Sequence, residues 1–101
     1  MVMKELEKLA QLHRALSSVS RLRILRMLID RPMCVNAITD RLNISQPSVS
    51  QHLAVLERAG LVESHRDGCR IHYGLDMDNL PYIRNVLMEL PYGNPDINEE
   101  S

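Results

Sequence analysis

The stretch from Cys34 to Tyr73 constrains the fold of this chain more than any other part of its sequence. A short amphipathic pattern over residues 34–42 is followed by a three-residue break and then by a second helical pattern over residues 46–59. Two short runs typical of strands come next and flank Asp67-Gly68, a dipeptide favoured in two-residue hairpin turns. This order predicts a helix-turn-helix followed by a β-hairpin, the wing.

Local signals mark the ends of the two helices in this stretch. Asn43 can close the first helix in a left-handed conformation, and Ser45 stands where the N-cap of the second helix belongs. Pro47 falls within the first turn, where its missing N–H is not needed, and Ala59-Gly60 is expected to end the helix. One apolar stripe predicts how the second helix is anchored to the core: Val49, Leu53 and Leu56.

The other side of the second helix is polar and uncharged. It carries four residues with a fifth, Ser50, flanking them: Gln46, Ser48, Gln51 and His52. Side chains of this kind suit a helix that enters the major groove of DNA and bonds base edges. Taken alone, these residues could simply face solvent, but their place between a helix-turn-helix break and a hairpin favours DNA binding.

The wing alternates between two faces. If residues 61–66 and 69–73 pair around the predicted turn, the inner face carries Val62, Ser64, Ile71 and Tyr73, and the outer face carries Glu63, His65, Arg70 and His72. Arg66 and Arg70 fall close to the tip, where they suit contact with phosphates or the minor groove. A single arginine more often serves solubility, and it is the pair at the tip that favours DNA contact.

Three further helices complete the pattern. The first covers about residues 3–16, and the second, capped by Ser18 or Ser20, continues to Arg31-Pro32. The last covers about residues 78–90. The predicted fold class is therefore mainly α with a small β-hairpin: a winged helix-turn-helix of order α-α-α-α-β-β-α.

The first and last helices carry more apolar surface than the elements between them can cover. Part of each stripe must belong to the intramolecular core, and packing against a second copy is the natural use of the remainder. The predicted dimer interface consists of Leu6, Leu9, Leu12, Ile83, Leu87 and Leu90. Residues 1–90 are thus expected to form one DNA-binding and dimerisation domain, and residues 91–101 an acidic, disordered tail.

Length and charge limit the classes of protein that fit. A chain of 101 residues holds one modest core and no large substrate cleft. Residues 1–75 carry 11 Lys and Arg against 7 Asp and Glu, whereas residues 76–101 carry 1 against 6. This asymmetry fits a nucleic-acid binder whose acidic end points away from the phosphates, although an ordinary solvated tail explains the acidic end equally well.

Several other classes are excluded by what the sequence lacks. It begins without a secretory leader and has no apolar run near the ~20 residues that span a bilayer, so we expect a cytoplasmic protein with reduced thiols and no membrane partner. There is no Gly-rich phosphate loop, nucleophile elbow or metal-histidine pair, and no cofactor is expected. The four histidines show no catalytic partner pattern, which argues against an enzyme: His13, His52, His65 and His72.

The combined order and spacing of four motifs resembles the ArsR/SmtB family of bacterial and archaeal winged-helix repressors, over about residues 5–90. The motifs are Ser20-Arg21-Leu22-Arg23-Ile24-Leu25, Met33-Cys34-Val35, Ser45-Gln46-Pro47-Ser48-Val49-Ser50-Gln51-His52-Leu53 and Ile71-His72-Tyr73-Gly74-Leu75. The resemblance implies a homodimer that occupies a double-stranded DNA operator and leaves it when an inducer binds.

The metal sites typical of that family do not carry over. Arsenic and cadmium/lead members bear a Cys-Val-Cys pattern on the third helix. Here Cys34 matches the first cysteine of that pattern, but Asn36 stands where the second belongs. Zinc and nickel members use acidic and histidine ligands on the last helix, which here has Asp78 and Glu89 but no histidine. A lone thiolate and scattered carboxylates do not form a closed soft-metal site, so no metal is predicted.

Two cysteines remain as candidates for sensing an inducer. Cys34 is expected near a helix N-terminus, whose dipole can stabilise a thiolate, and Cys69 beside the turn, next to Arg70 and opposite Arg66. Thiol-reactive species, or a thiophilic metal or metalloid, are the inducers to consider. One packed cysteine and one incidental surface cysteine is the alternative. For the whole chain, the alternative to a DNA-binding repressor is a winged helix that binds proteins.

Overall fold

Five helices and three strands make up the computed structural model, which describes residues 2–76 and 80–89. The elements in chain order are α1 (Val2–Ala15), α2 (Val19–Asp30), β1 (Met33–Cys34), α3 (Val35–Leu42), α4 (Gln46–Arg58), β2 (Val62–Asp67), β3 (Arg70–Leu75) and α5 (Pro81–Met88). The predicted helix-turn-helix, α3 and α4, and the predicted hairpin, β2 and β3, are confirmed. The predicted tail and Leu90 lie outside the described residues.

The helix ends follow the local chemistry of the sequence. Arg31 is extended, as expected before Pro32, and ends α2. Asn43 closes α3 in the left-handed conformation with φ 58°. The Ser45 side chain then accepts a hydrogen bond from the backbone N–H of Ser48 at 3.2 Å, which caps α4. The three-residue break between α3 and α4 therefore begins at Asn43 and ends at Ser45, and the roles of both residues were predicted.

The core gathers around α2, which contacts α3, α4, α5 and β3. Ile24 and Leu25 of α2 are fully buried, and the predicted stripe of α4 lies against them and is also buried: Val49, Leu53 and Leu56. By contrast, Ala15 is the only buried residue of α1 in the part of the chain that the structure describes. α4 is therefore anchored to the core along one side, whereas α1 covers little of this core.

A short strand that the sequence pattern did not predict joins the hairpin. Met33 and Cys34 form β1, and the three antiparallel strands lie in the order β1-β3-β2. Cys34 is paired with His72, and Met33, which is buried, is paired with Tyr73. This pairing fixes the base of the wing to the beginning of α3.

The predicted turn at Asp67-Gly68 is wrong by one residue. Asp67 pairs with Arg70, so the turn residues are Gly68 and Cys69, and Gly68 carries the positive φ of 67°. Glycine at the first central position is characteristic of a type II′ turn rather than type I′. Cys69 therefore lies in the turn itself, and Ile71, not Cys69, is opposite Arg66.

The observed register still gives the predicted faces of the wing. It differs from the predicted register by two residues, and side chains alternate with a period of two, so no residue changes face. The observed register extends the ladder to Val62 opposite Leu75 and places the opposite charges of Asp67 and Arg70 side by side. These additional pairs account for the choice of register.

The terminal helices differ in how much of their apolar surface is covered. Leu87 of α5 is only 3% exposed within the single chain, so intramolecular packing already accounts for this predicted interface residue. Leu6 and Leu9 of α1 remain 54% and 51% exposed, and Leu12 and Ile83 are half-buried. None of the helices in residues 2–76 and 80–89 is long and apolar enough to cross a membrane.

Candidate nucleic-acid interface

Two of the predicted base-contacting residues of α4 are free to bind a partner. Ser50 and Gln51 are exposed, and neither side chain has a hydrogen-bond partner among the described residues. Val49 and Leu53 are buried and hold this part of the helix on the core. Val49 directly precedes Ser50, and Leu53 follows Gln51 by two positions. A side-chain amide on a rigid helix offers a donor and an acceptor together, the pair that reads an adenine edge.

Two other predicted residues are engaged at the beginning of α4. The Gln46 amide donates to the Asn36 side-chain oxygen of α3 at 3.3 Å. The Ser45 hydroxyl donates to the Ser48 hydroxyl oxygen at 2.9 Å, in addition to capping the helix. Both side chains therefore also stabilise the helix-turn-helix, and each retains hydrogen-bonding capacity toward solvent.

The fifth residue, His52, is partly buried and contacts α2. Its Nδ1 lies 3.2 Å from Nη1 of Arg21. Burial lowers the pKa of the His52 imidazole below its ordinary value of 6.5, and the positive charge of Arg21 lowers this pKa further. His52 is therefore neutral at pH 7 and lies at the edge of the exposed face of α4 rather than at its centre.

Three residues that were not predicted share the exposed face of α4 with Gln51. Pro47, Ala54 and Arg58 are all exposed, at helical spacing before and after Gln51. Ala54 is small and apolar, as a contact to a thymine methyl group requires, and Arg58 adds a cation at the end of the helix. The same periodicity that predicts the buried stripe predicts this one, but polarity alone does not reveal it.

The wing brings its two arginines to the tip but not to one face. Arg66 is opposite Ile71 and Arg70 is opposite Asp67, in adjacent pairs of the ladder, so their side chains leave opposite faces of the hairpin. Both arginines are exposed. A wing that lies along a groove can use such an arrangement because one arginine faces each neighbouring strand of the duplex.

The two cysteines, which lie on different elements, line the same groove. This open groove of about 420 Å³ lies between the beginning of α3 and the wing, and Asn36, Gln46 and Arg70 also line it. Both thiols are free; Cys34 is half-buried and Cys69 is exposed. Cys69 lies three positions before His72, the partner of Cys34, which corresponds to about 10 Å along the chain. A direct disulfide would therefore require the wing to move.

Comparison with known proteins places this fold and its exposed helix in a defined class. The family model for bacterial regulatory proteins of the arsR family matches residues 18–64. An uncharacterized HTH-type transcriptional regulator of Methanocaldococcus jannaschii, MJ1325, is 35% identical over 87% of this chain and its own entire length. The transcriptional repressor SmtB of Mycobacterium tuberculosis is 37% identical over 77% of the chain, but the match spans only 58% of SmtB.

Solved structures agree with the sequence comparisons. HlyU from Vibrio cholerae superposes with a TM-score of 0.75 at 34% identity, covering 87% of this chain and 96% of that one. The homodimeric winged helix-turn-helix DNA-binding domain of Mb0332 from Mycobacterium bovis superposes with a TM-score of 0.78 at 27% identity, covering 86% and 82%. Fold and site thus define a winged helix-turn-helix transcriptional regulator.

The chain belongs to the ArsR/SmtB family of such regulators. The typical metal-ligand patterns of that family are absent from the sequence, as the cysteine and histidine positions indicate. Within residues 2–76 and 80–89, no group of three or more His, Cys, Asp or Glu side chains is arranged to hold a metal ion.

Proposed function

We propose that this protein is a homodimeric repressor that binds a two-fold symmetric operator through α4 and the wing. The observation that carries the proposal is the free, exposed Gln51 on a helix whose opposite side is anchored in the core. Of the similar proteins, SmtB is a transcriptional repressor, whereas HlyU is a transcriptional activator. We favour repression because occupying an operator requires only a DNA-binding surface, the role proposed here for α4 and the wing.

Base reading is assigned to the exposed face of α4, with Gln51 at its centre. Ser50 adds a further polar contact, and so do the hydrogen-bonding groups of Gln46, Ser48 and His52 that are not used within the chain. A bidentate contact between a glutamine amide and a base contributes about 1–3 kcal/mol of discrimination against the wrong base. Gln51 is therefore expected to determine preference at one position of each half-site.

Backbone contact is assigned to the wing. Arg66 and Arg70 are exposed cations on a hairpin whose base is tied to α3 through β1. Contacts to phosphates supply affinity without reading sequence, and they make binding depend steeply on salt.

Dimerisation is assigned to the exposed apolar residues of the terminal helices. Met3, Leu6 and Leu9 of α1 and Val86 and Met88 of α5 are each about half-exposed or more in the single chain. Mb0332, which has the same fold, is homodimeric. A two-fold dimer presents two copies of α4 to successive major grooves, about 34–36 Å apart.

Release from DNA is assigned to the groove that contains Cys34 and Cys69. We expect a thiol-reactive species, because the groove offers two thiols and no third metal ligand among the described residues. Modification at this site would displace Gln46, which lines the groove and joins α4 to α3 through its hydrogen bond to Asn36. It would also alter the surroundings of Arg70 at the tip of the wing.

The test of DNA recognition begins with selection from a randomised double-stranded DNA library. We expect wild-type protein to enrich an inverted repeat with half-sites one helical turn apart. Fluorescence anisotropy on the selected duplex and on its single-base-pair variants then compares Gln51→Ala with Arg70→Ala. Gln51→Ala should lose about 1–3 kcal/mol per half-site and relax preference at one position of each half-site. Arg70→Ala should weaken all duplexes alike and reduce the salt slope by roughly one for each half-site.

Matched controls lie elsewhere on the surface. Gln11→Ala on α1 and Arg84→Ala on α5 remove the same side chains outside the exposed face of α4 and the wing, and they should leave operator affinity unchanged. Failure to enrich any sequence would favour a winged helix that binds proteins. Uniform weakening of all duplexes by Gln51→Ala would remove the base-reading role of Gln51.

A further inference from the structure

Arg21 joins three elements of the fold through a single guanidinium group. Its Nε donates to the backbone carbonyl oxygen of Ala15 at 2.7 Å, and its Nη2 donates to that of Arg14 at 3.0 Å. Its Nη1 lies 3.2 Å from Nδ1 of His52, 31 residues further along the chain. The end of α1, the first turn of α2 and the middle of α4 therefore meet at this one side chain.

The contact with Arg21 determines which nitrogen of His52 carries the proton. A guanidinium group has only donors, so Nδ1 of His52 must be the acceptor and must be unprotonated. The proton of the neutral ring is then on Nε2. Among the hydrogen bonds of the described residues, none involves Nε2 of His52. The ring is therefore left with one defined and unused donor.

We propose that Arg21 is a positioning residue for DNA recognition, which holds His52 as the Nε2–H tautomer so that α4 presents a hydrogen-bond donor at this position. The proposal rests on the function proposed above. A donor pairs with N7 of a purine, O6 of guanine, O4 of thymine or a phosphate oxygen, but not with the amino group of cytosine. Arg21 thereby contributes to specificity without touching DNA.

The same guanidinium group also ties α1, one of the helices proposed to form the dimer, to α4. The carbonyl groups at the end of an α-helix lack intrahelical partners, and Arg21 binds two of them at the end of α1. A change in the packing of α1 would therefore move Arg21, and with it the hydrogen bond to His52. Arg21 provides a direct path between dimer geometry and DNA reading.

A second proton on His52 would break this arrangement, because both ring nitrogens would then be donors. The charged group that acts on His52 is Arg21 from α2; Arg14 of α1 contributes its backbone carbonyl oxygen to the junction, and its side chain is exposed to solvent. Burial and the charge of Arg21 lower the pKa of His52, so the contact is intact above the ordinary value of 6.5. The contact is lost as the pH falls through the lowered pKa of the folded protein.

The first test measures His52 directly, without DNA. Nitrogen-15 NMR of wild-type protein at neutral pH should show Nδ1 unprotonated and Nε2 protonated. Arg21→Met should raise the titration midpoint of His52 toward its ordinary value, because the neighbouring charge is removed. Arg23→Met, on the same helix, is the matched control and should leave the midpoint of His52 unchanged.

Two results would overturn the proposal at this stage. One is an Nδ1-protonated His52 in wild-type protein at neutral pH, a result that does not depend on the folding of any variant. The other is an unchanged His52 midpoint in Arg21→Met. If Arg21→Met does not fold, Arg21→Lys keeps the positive charge but cannot span all three acceptors, and its imidazole nitrogen signals should move away from those of a single tautomer.

The second test uses the duplex selected by wild-type protein at pH 7.5. Arg21→Met should reduce affinity roughly two- to tenfold per half-site, the equivalent of one hydrogen bond in each. The same substitution in a His52→Ala background should have little further effect, because the two residues act through one contact. An equal loss of DNA affinity in both backgrounds would mean that Arg21 acts only by stabilising the folded protein. If wild-type protein binds no duplex, the proposed function fails, whereas the NMR result still decides whether Arg21 controls His52.

Discussion

Replacing Leu6 and Leu9 together with glutamine should dissociate the proposed dimer. The two side chains are 54% and 51% exposed in the single chain, so about half of each remains to be covered by a partner. Full burial of a leucine side chain is worth about 1.5–3 kcal/mol, which gives roughly 0.7–1.5 kcal/mol for the uncovered half. A two-fold interface contains each residue twice, so the double variant should lose roughly 3–6 kcal/mol of association free energy.

Sedimentation equilibrium measures this loss as a change in the dimer dissociation constant, which should rise by a factor of roughly 10² to 10⁴. Glutamine is a good helix former, so α1 should persist, and circular dichroism checks that it does. Val19→Gln is the matched control because Val19 is apolar and 68% exposed but lies at the beginning of α2. A wild-type protein that is monomeric at micromolar concentration would refute the reasoning, as would a double variant that associates as tightly as wild type.

Two further predictions concern the helix cap and the thiols. Ser45→Ala removes the acceptor for the Ser48 backbone N–H and should lower the free energy of unfolding by about 1 kcal/mol in urea titrations. Ser50 lies on the same helix but makes no capping contact, so Ser50→Ala should change the free energy of unfolding by only about a few tenths of a kcal/mol. An equal effect of the two substitutions would contradict the role of the cap. Wild-type protein treated with sodium tetrasulfide or hydrogen peroxide should release the selected duplex and rebind it after reduction. The Cys34→Ser, Cys69→Ser double variant should bind that duplex normally and no longer respond, whereas an unchanged response would place the effector site elsewhere.

Most helix ends were predictable because each depends on neighbours in the chain; the last helix is the exception, since it begins at Pro81 and not near residue 78 as predicted. Asn43 tolerates the left-handed conformation, Ser45 caps the next helix with its own hydroxyl, and Pro32 excludes helix at the residue before it. The buried stripe of α4 follows from helical periodicity, which can be detected in the sequence of a single helix. The faces of the wing were also predicted correctly, since a register error of two residues leaves the alternation of side chains intact.

The remaining features depend on contacts between distant parts of the chain. A strand as short as Met33–Cys34 has no period to detect, and it exists because β3 lies beside it. An apolar stripe likewise does not distinguish Leu87, which the single chain buries, from Leu9, which it leaves half-exposed. That difference depends on which other elements cover each helix.

The chemistry of the candidate site shows the same division. Polarity and spacing alone placed Gln51 and His52 together on α4, and their role in base reading remains a prediction. Only the tertiary structure decided that Arg21 binds His52 while Gln51 stays free, and that Cys34 and Cys69 line one groove. The physical reason is that local pattern determines which way a side chain faces on its own element. The partner that it meets is determined by how the elements pack.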